Sequence, residues 1–206
     1  MADFFQNQHY LEYLVNEALP ELVRSYGYGL WKTLMVWSPK CFRGEGPYTL
    51  AMVLSEFATR YPGLGFDFTI MATDVSPQII DIARRGVYDE NTIKPVPLAL
   101  RKKYLLKSKD KSRQLVRIAP ELQEMVKFRT GDLFKEDLKF REPLDIIYCP
   151  EVPSNMDSAI IMHIVTKFYR YLSPGGYLFF GHQLPLGGLP VPLAQVAPRI
   201  YRKPNF

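Results

Sequence analysis

The chain has 206 residues, of which 47% are hydrophobic, and a formal net charge of +5 at pH 7. A chain of this length can bury a sizeable core, so we predict one domain over residues 1–206. Its longest apolar runs, such as YLFF at 177–180, fall far short of the roughly 20 residues that span a bilayer, which excludes a transmembrane helix. The first ten residues lack the basic start and apolar stretch of an export signal, so we expect a cytoplasmic protein.

The first predicted element is an amphipathic helix. Apolar side chains over residues 8–24 recur at helical spacing, and Pro20 is expected to interrupt or end the helix. TLMVWS at 33–38 is a short continuous apolar run, typical of a strand inside a parallel sheet. A glycine-bearing turn follows, and a second helix is predicted to begin with Pro47 at its first position and to run to about Arg60.

The same order then repeats. FDFTIMATD at 66–74 is a second buried strand that ends in Asp74, and the next helix has Ser76 as its cap and Pro77 at its first position. A third strand, a helix, an SPGG turn and a late strand are predicted at 144–149, 158–172, 173–176 and 177–182. Strands and helices in alternation imply right-handed crossovers and a parallel sheet, so the predicted fold is α/β and doubly wound.

Residues 88–140 break this rhythm. YLLKS at 104–108 and QLVRIA at 114–119 are typical of two short strands joined by a polar loop, so we predict an inserted β-hairpin subdomain over residues 88–120. A short helix, PELQEMV, and a strand, VKFRT, are expected after it. LPLGGLPVPL at 184–193 is predicted to be loop because its prolines and glycines prevent regular hydrogen bonding.

Charged residues and cysteines limit the kinds of site. Between Arg101 and Arg117 there are eight Lys or Arg and one acid, Asp110. This segment is either a solvated basic hairpin or a surface for an acidic or phosphate-bearing partner, and both alternatives stay open. Cys41, Cys149 and the three histidines have no metal-ligand spacing, so we expect buried free thiols and no metal site.

Three loops follow the carboxyl ends of the predicted strands, where an open parallel sheet binds its ligands. In SPKCFRGEG at 38–46, Gly44 and Gly46 would let the backbone approach a ligand at the start of a helix. Asp74, at the end of the second strand, either accepts the hydroxyls of a ribose or orders the loop, and both alternatives stay open. The third loop, YCPEVPSNMD, has polar side chains but is stiffened by Pro150 and Pro153.

Several of these segments together resemble a known family. The motifs are VWSPKCFRGEGPYTLAM, ATDVSPQIIDIARRGVY, LRKKYLL, LVRIAPELQEMVKF and LSPGGYLFFGH. In this order they resemble the CheR family, S-adenosylmethionine-dependent methyltransferases that methylate glutamates on bacterial chemoreceptors. The resemblance implies a Rossmann-like methyltransferase sheet, mostly parallel, with a small inserted β-subdomain. It also implies that the family's helical N-terminal domain, and the receptor-contacting surface it carries, are absent here.

The resemblance also indicates cofactor-binding positions. The family's first loop usually reads A-G-C-S-[ST]-G-E-E-P-Y, and this chain keeps Cys41, Gly44, Glu45, Pro47 and Tyr48. Lys40, Phe42, Arg43 and Gly46 stand where the family has a glycine, two small residues and a second glutamate. Cofactor contacts are therefore expected at Gly44, Glu45, Asp74, Asp132, Leu133 and Glu151, although Asp132 and Glu151 replace asparagines of the family pattern.

Positions near the reacting centre depart further from the family. Gln6 replaces an arginine, Asn155 replaces a tyrosine, and Pro150 replaces a second arginine, so no catalytic residue can be assigned. An Asn-x-Thr pair that helps to close the pocket is lost or reduced to Ala2. The hairpin loop KSKDKSRQ has no glycine, unlike the relatives whose subdomain docks a receptor-tail peptide by strand addition.

Three interpretations remain. The first is a degenerate CheR-type domain of bacterial chemotaxis or related signalling, a pseudoenzyme with weak or absent cofactor binding that acts as a binding or regulatory module. The second is an active protein-glutamate methyltransferase with a rewired site that uses Asp74 and Glu45. The third is a pocket for another ligand, such as an anion drawn by Lys40 and Arg43.

Cofactor and partner expectations follow from the same resemblance. The cofactor is S-adenosylmethionine or S-adenosylhomocysteine if the pocket is open, and none if it is closed. The expected partner is a bacterial chemoreceptor or another signalling protein, with no nucleic acid and no membrane insertion.

Overall fold

A computed structural model describes residues 3–63, 65–134, 138–153, 155–184 and 189–205, apart from the side chain of Lys111. The strands are β1 (Leu34–Pro39), β2 (Phe68–Asp74), β3 (Val87–Asp89), β4 (Leu105–Lys107), β5 (Leu115–Ile118), β6 (Val126–Thr130), β7 (Leu144–Cys149), β8 (Leu172–Phe180), β9 (Ala194–Ala197) and β10 (Ile200–Arg202). The helices are α1 (Gln8–Tyr13), α2 (Leu19–Tyr26), α3 (Glu45–Ala58), α4 (Pro77–Arg85), α5 (Leu98–Tyr104), α6 (Pro120–Glu124) and α7 (Ser158–Tyr171).

Seven strands form one sheet in the order β6-β2-β1-β7-β8-β10-β9. The first five of these are parallel to their neighbours, while β10 is antiparallel to both β8 and β9. The chain fills the sheet outward from β1 to β6, returns to β7 beside β1, and then continues in the other direction. The predicted doubly wound, mostly parallel α/β sheet is confirmed, and its order reverses between β1 and β7.

Alternate residues of the central strands face opposite sides of the sheet. Val36, Ile146 and Tyr148 belong to a hydrophobic cluster that includes residues of α1 to α4. Trp37 and Ile147 belong to a second cluster, on the other face, with residues of α7. Because both faces are covered, the central strands are mostly apolar, with a few buried polar residues such as Asp145, and their sequences read as largely hydrophobic runs.

The N-terminal helix differs from the prediction at Pro20. The chain stays helical from Gln8 to Tyr26, with a π-helical turn over Leu14–Ala18, and Pro20 is the second residue of α2. A proline cannot donate to the preceding turn and its ring crowds the carbonyl four residues earlier. A wider π-helical turn directly before the proline accommodates both effects, so the helix continues.

Other boundaries shift by a few residues. Helix α3 begins at Glu45, so Pro47 is its third residue and not its first. The predicted SPGG turn is wrong, because these residues lie within β8, where Gly175 has φ 76° and the pairing register with β7 shifts. Strands β9 and β10 were not predicted. Residues 184 and 189–193 are loop, as predicted for that segment, and 185–188 lie outside the described residues.

A second sheet has three antiparallel strands in the order β3-β5-β4. Strands β4 and β5 are the two strands predicted at 104–108 and 114–119, and β3 adds an edge that the sequence analysis missed. The assignment of residues 88–120 as an inserted subdomain stays a prediction. Within the described part of the chain, none of the helices combines the length and the apolar content needed to cross a bilayer.

Candidate functional site

A small cavity lies at the carboxyl ends of β1 and β7, where the strand order reverses. Its volume is about 30 Å³. It is lined by the segment before α1, by the loop after β1, by the first turns of α3 and by the end of β7, including Gln6, Lys40, Phe42, Tyr148 and Glu151. This is the position at which an open parallel sheet binds ligands.

Lys40 crosses this crevice. Its Nζ atom donates to the carbonyl oxygen of Glu151 at 3.3 Å and lies 5.9 Å from the centre of the Phe42 ring. Lys40 and Phe42 have φ values of 51° and 49°, a left-handed conformation that costs a non-glycine residue energy. The loop therefore keeps the backbone shape that glycine would adopt freely, but with two large side chains on it.

A second cavity lies beyond Lys40. It has a volume of about 10 Å³ and is lined by Lys40, Leu133, Phe134, Cys149 and Glu151, among others. Lys40 and Glu151 are common to both cavities.

Asp74 orders the loops around it. Its Oδ2 accepts a hydrogen bond from the backbone N–H of Phe42 at 3.2 Å, and its Oδ1 accepts one from the N–H of Ser76 at 3.2 Å. Ser76 in turn caps α4 by accepting from the N–H of Ile79. These contacts are the ones expected if Asp74 orders the loop. The ribose contact of Asp74 stays a prediction.

Glu45 is buried at the start of α3. It is 3% exposed, and its Oε2 atom has no hydrogen-bond partner among the described residues. Burial raises the pKa of its carboxyl above the usual range, while the backbone N–H groups of Glu45 and Arg43 partly oppose the rise. A buried carboxylate oxygen without a partner is unusual, and a bound cation is one way to satisfy it.

Gly44 and Gly46 have different environments. Gly44 has φ 99°, and a Cβ built there would come within 2.9 Å of the Tyr88 hydroxyl and 3.1 Å of the Tyr48 ring. A side chain at Gly44 is therefore excluded by the packing below the loop. A Cβ built on Gly46 would meet nothing within 4 Å, so this side of the turn is open. The contact of Gly44 with a cofactor stays a prediction.

Asp132 and Leu133 follow β6. Asp132 Oδ1 accepts from the N–H of Phe134 at 2.8 Å, which ties the turn together. Leu133 is buried in the same cluster as Trp37, and its carbonyl oxygen accepts from Lys167 Nζ at 3.2 Å. Phe134 remains 39% exposed at the second cavity. Cofactor contacts from Asp132 and Leu133 stay predictions.

The two positions expected near a reacting centre are separated by the fold. Gln6 lines the first cavity, and its Nε2 donates to Asp3 Oδ2 at 3.3 Å. Asn155 is exposed and lines neither cavity. Ala2 and Ser154, which belong to the same family motifs, lie outside the described residues. Glu151 is half-buried and lies beside Lys40, so the fold brings Gln6 and Glu151 together and leaves Asn155 apart.

Tyr148 and Thr49 are site residues that the sequence analysis missed. Tyr148 lines the first cavity, and burial raises the pKa of its hydroxyl above the usual range. Thr49 Oγ1 accepts from the N–H of Phe5 at 3.1 Å and donates to the carbonyl oxygen of Glu45 at 2.8 Å, which fixes the segment before α1 onto α3. The alternation along β7 was a usable signal, because Tyr148 faces the same side as Ile146.

Two larger clefts lie away from the switch point. One, of about 600 Å³, is at the amino ends of the strands beside Asp145, and the other, of about 640 Å³, is on the small sheet beside Arg101 and Lys102. Several cations of the basic segment have partners within the chain. Lys103 contacts Glu56 at 2.7 Å, and Arg101 donates to two backbone carbonyls. An acidic partner for this segment stays a prediction.

The fold and the crevice between β1 and β7 define an α/β domain of the kind that binds a nucleotide-like ligand at its switch point. The family model described as CheR methyltransferase, SAM binding domain, matches residues 1–196. A chemotaxis protein methyltransferase of Borreliella burgdorferi is 32% identical over 200 residues, which cover 97% of this chain and 69% of that protein. The chain belongs to the CheR family.

Other comparisons give more distant similarities. A probable chemotaxis protein methyltransferase of Rhizobium etli is 29% identical over 185 residues, covering 90% of this chain and 67% of that one. The solved apo structure of the S-adenosylmethionine-dependent methyltransferase SibL is 14% identical, with a TM-score of 0.45, and covers 83% of this chain and 34% of that one.

Proposed function

We propose that the chain is a CheR-family signalling domain whose cofactor crevice is closed, and that it acts as a binding or regulatory module and not as a methyltransferase. The contact between Lys40 Nζ and the Glu151 carbonyl oxygen is the observation that carries this proposal. It joins the loops after β1 and β7 across the switch point, where a ligand of the family would lie.

The size of the space supports the same conclusion. The two cavities measure about 30 and about 10 Å³. Pockets for small molecules generally measure about 300 to 1,000 Å³, whereas one water needs about 10 to 15 Å³. With Lys40 in place, the residues present do not fit S-adenosylmethionine.

The side chains around the crevice also lack the groups that transfer to a carboxylate would use. A substrate glutamate is attracted best by an arginine, which can pair with both carboxylate oxygens. In this chain Gln6 and Pro150 stand where the family pattern has its two arginines. The half-buried Glu151 adds a carboxylate beside them. A second carboxylate entering this crevice would be repelled by Glu151.

The pathway proposal rests on the relatives. Their names describe chemotaxis methyltransferases, so we place this domain in bacterial chemotaxis or related signalling, with a chemoreceptor or another signalling protein as its partner. A closed crevice leaves the surface of the domain available for such a partner.

Isothermal titration calorimetry tests the closed crevice. The chain is titrated with S-adenosylmethionine and with S-adenosylhomocysteine, after circular dichroism has shown that it is folded. We expect no saturable heat up to about 1 mM ligand, which corresponds to a binding free energy weaker than about −4 kcal/mol. A dissociation constant in the micromolar range for either ligand would refute the closed crevice.

An active methyltransferase with a rewired site is the second candidate, and Glu45 favours it. The unpartnered Oε2 atom of this buried carboxylate would be satisfied by an ammonium group such as that of a methionine moiety. In this version, Glu45 and Asp74 hold the cofactor, which supplies an activated methyl group. The test is transfer of radiolabelled methyl to any protein of a bacterial lysate, with loss of transfer in Asp74→Ala. Absence of label in every fraction would reject this candidate.

A further inference from the structure

We propose that the Lys40 side chain keeps a cofactor-sized ligand out of this crevice, by forming a wall between the two cavities that it lines. The inference rests on the proposed closed crevice and names the residue responsible. Removing the Lys40 side chain is therefore expected to join the two cavities and to raise the affinity for S-adenosylhomocysteine above that of the unaltered chain.

Strand register explains why this one side chain can close the site. Strands β1 and β7 are neighbours, with Trp37 opposite Ile147. Lys40 is therefore only about one strand spacing, roughly 5 Å, from the residues that follow β7. A lysine side chain spans this distance without any movement of the sheet. The wall is therefore formed by the Lys40 side chain and the carbonyl oxygen of Glu151 that it contacts.

The two sides of this wall have different linings. Gln6 and Tyr148 line the first side, toward α1, whereas Leu133, Phe134 and Cys149 line the second side, on the face of the sheet that α7 covers. Each side alone has room for a water or two. A ligand that needs an apolar surface near Phe134 and a polar one near Gln6 at the same time must pass through the position of Lys40.

Charge adds to the steric effect. The Lys40 ammonium would repel the sulfonium of S-adenosylmethionine, which is also positive, but not the neutral sulfur of S-adenosylhomocysteine. Lys40→Met separates the two effects, because methionine fills similar space without charge or a donor. If volume dominates, Lys40→Met still excludes both ligands; if charge contributes, it binds S-adenosylmethionine better than the unaltered chain does.

Lys40→Gly is expected to fold. Lys40 has φ 51°, a conformation that glycine adopts without strain, so the substitution removes the side chain and leaves the loop in place. Lys109→Gly is the matched control, because Lys109 is exposed in the loop between β4 and β5 and remote from both cavities. Thermal unfolding of both variants confirms that they are folded before ligand is added.

The test is calorimetric titration of S-adenosylhomocysteine into the unaltered chain, Lys40→Gly and Lys109→Gly. We expect Lys40→Gly to bind at least tenfold more tightly than the unaltered chain, and Lys109→Gly to behave like the unaltered chain. Equal affinities in all three would overturn the role of Lys40. If affinity rises only in the double variant Lys40→Gly with Phe42→Ser, the role of Lys40 would also be overturned, because Phe42 would then share the wall.

The outcomes for Lys40 and for the proposed function are distinguishable. Micromolar binding to the unaltered chain contradicts the closed crevice, whatever Lys40→Gly does. No binding to the unaltered chain together with no gain in Lys40→Gly supports the closed crevice but rejects Lys40 as its cause. Only a gain in Lys40→Gly, measured against the unaltered chain, supports the inference.

Thiol labelling provides a readout that needs no ligand. Cys149 is 1% exposed and lines the second cavity next to Lys40. Joining the cavities gives solvent a path to this thiol, so we expect Cys149 to react with a small maleimide at least tenfold faster in Lys40→Gly than in Lys109→Gly. A Cys149→Ala background identifies the labelled residue. Equal rates in the two glycine variants would contradict a wall at Lys40.

Discussion

Asp74 has a structural role that needs no ligand. Its carboxylate holds the N–H groups of Phe42 and Ser76, so it fixes both the loop after β1 and the start of α4. Neither contact needs a ligand. The two contacts therefore give Asp74 a role in stability whether or not a cofactor binds.

Replacing Asp74 should cost stability. Asp74→Ala leaves two backbone donors without their charged acceptor, and we expect a loss of about 2 kcal/mol in the free energy of unfolding. Asp81→Ala is the control, because Asp81 forms an exposed pair with Arg84 within α4 and should change stability by less than about 0.5 kcal/mol. Urea denaturation measures both. Equal effects of the two substitutions would show that Asp74 does not order these loops.

Because Glu45 is buried, we expect the free energy of unfolding to depend on pH. Burial raises the pKa of its carboxyl, so the folded chain holds this proton more tightly than the unfolded chain does. The stabilisation from the protonated form is complete below the unfolded pKa and is lost as the pH rises through the folded one. Glu45→Gln does not ionise, so its unfolding free energy should rise relative to the unaltered chain between about pH 4 and pH 7.

Urea denaturation at pH 4, 5, 6 and 7 measures the free energy of unfolding of Glu45→Gln and of the unaltered chain. Glu12→Gln, at an exposed glutamate, is the matched control. If the difference in unfolding free energy between Glu45→Gln and the unaltered chain stayed constant over this range, the pKa of Glu45 would not be raised by burial. A bound cation would have the opposite effect, because it would favour the ionised carboxylate.

At the scale of helices and strands, predictions succeeded where local chemistry sets a boundary. Ser76 caps α4 and Pro77 begins it, as expected, and β7 covers the predicted residues 144–149. Prediction failed where tertiary packing decides. The helix continues past Pro20 because a π-helical turn makes room for it, and SPGG remains in β8 because a register shift absorbs Gly175. Neither adjustment is encoded in local propensity.

The antiparallel strand β10 illustrates this limit. Its three residues are too few for a recognisable pattern, yet Ile200 and Tyr201 are each 1% exposed and pack on opposite faces of the sheet. The Tyr201 hydroxyl also accepts from the N–H of Leu184 at 2.8 Å. The strand exists because β8 offers it an edge, which becomes visible only in the assembled sheet.

Tyr201 should therefore be a major contributor to stability. Tyr201→Ala removes a buried ring and a hydrogen-bond acceptor, and we expect it to lower the free energy of unfolding by about 3 to 5 kcal/mol. Val196→Ala, on the neighbouring β9 and 40% exposed, should cost less than about 1 kcal/mol. Thermal or urea unfolding compares them. A small effect of Tyr201→Ala would mean that β10 is not a structural part of the sheet.

For the whole molecule, the sequence was sufficient to predict where a site would lie but not whether it is open. The strand order brings the loops after β1 and β7 together, and this follows from the alternation of strands and helices. The contact between Lys40 and Glu151 depends on a side-chain conformation that no pattern encodes. The exposed position of Asn155 depends likewise on the path of a loop that contains two prolines.

The core of the domain lies apart from the loop that borders the crevice. Both hydrophobic clusters lie against the faces of the sheet, whereas the loop that carries Lys40 and Phe42 lies beyond the ends of the strands. Large side chains in this loop therefore leave the core packing unchanged. Side chains that point from this loop into the crevice can therefore change with little effect on the core, whereas Asp74, which holds the loop itself, cannot.

The most direct test of a closed crevice is a crystal structure of the chain grown with millimolar S-adenosylhomocysteine. We expect Lys40 Nζ to remain within hydrogen-bond distance of the Glu151 carbonyl oxygen, 3.3 Å here, and no ligand density to appear between Gln6 and Phe134. Ligand density across this position, with Lys40 displaced, would contradict a closed crevice.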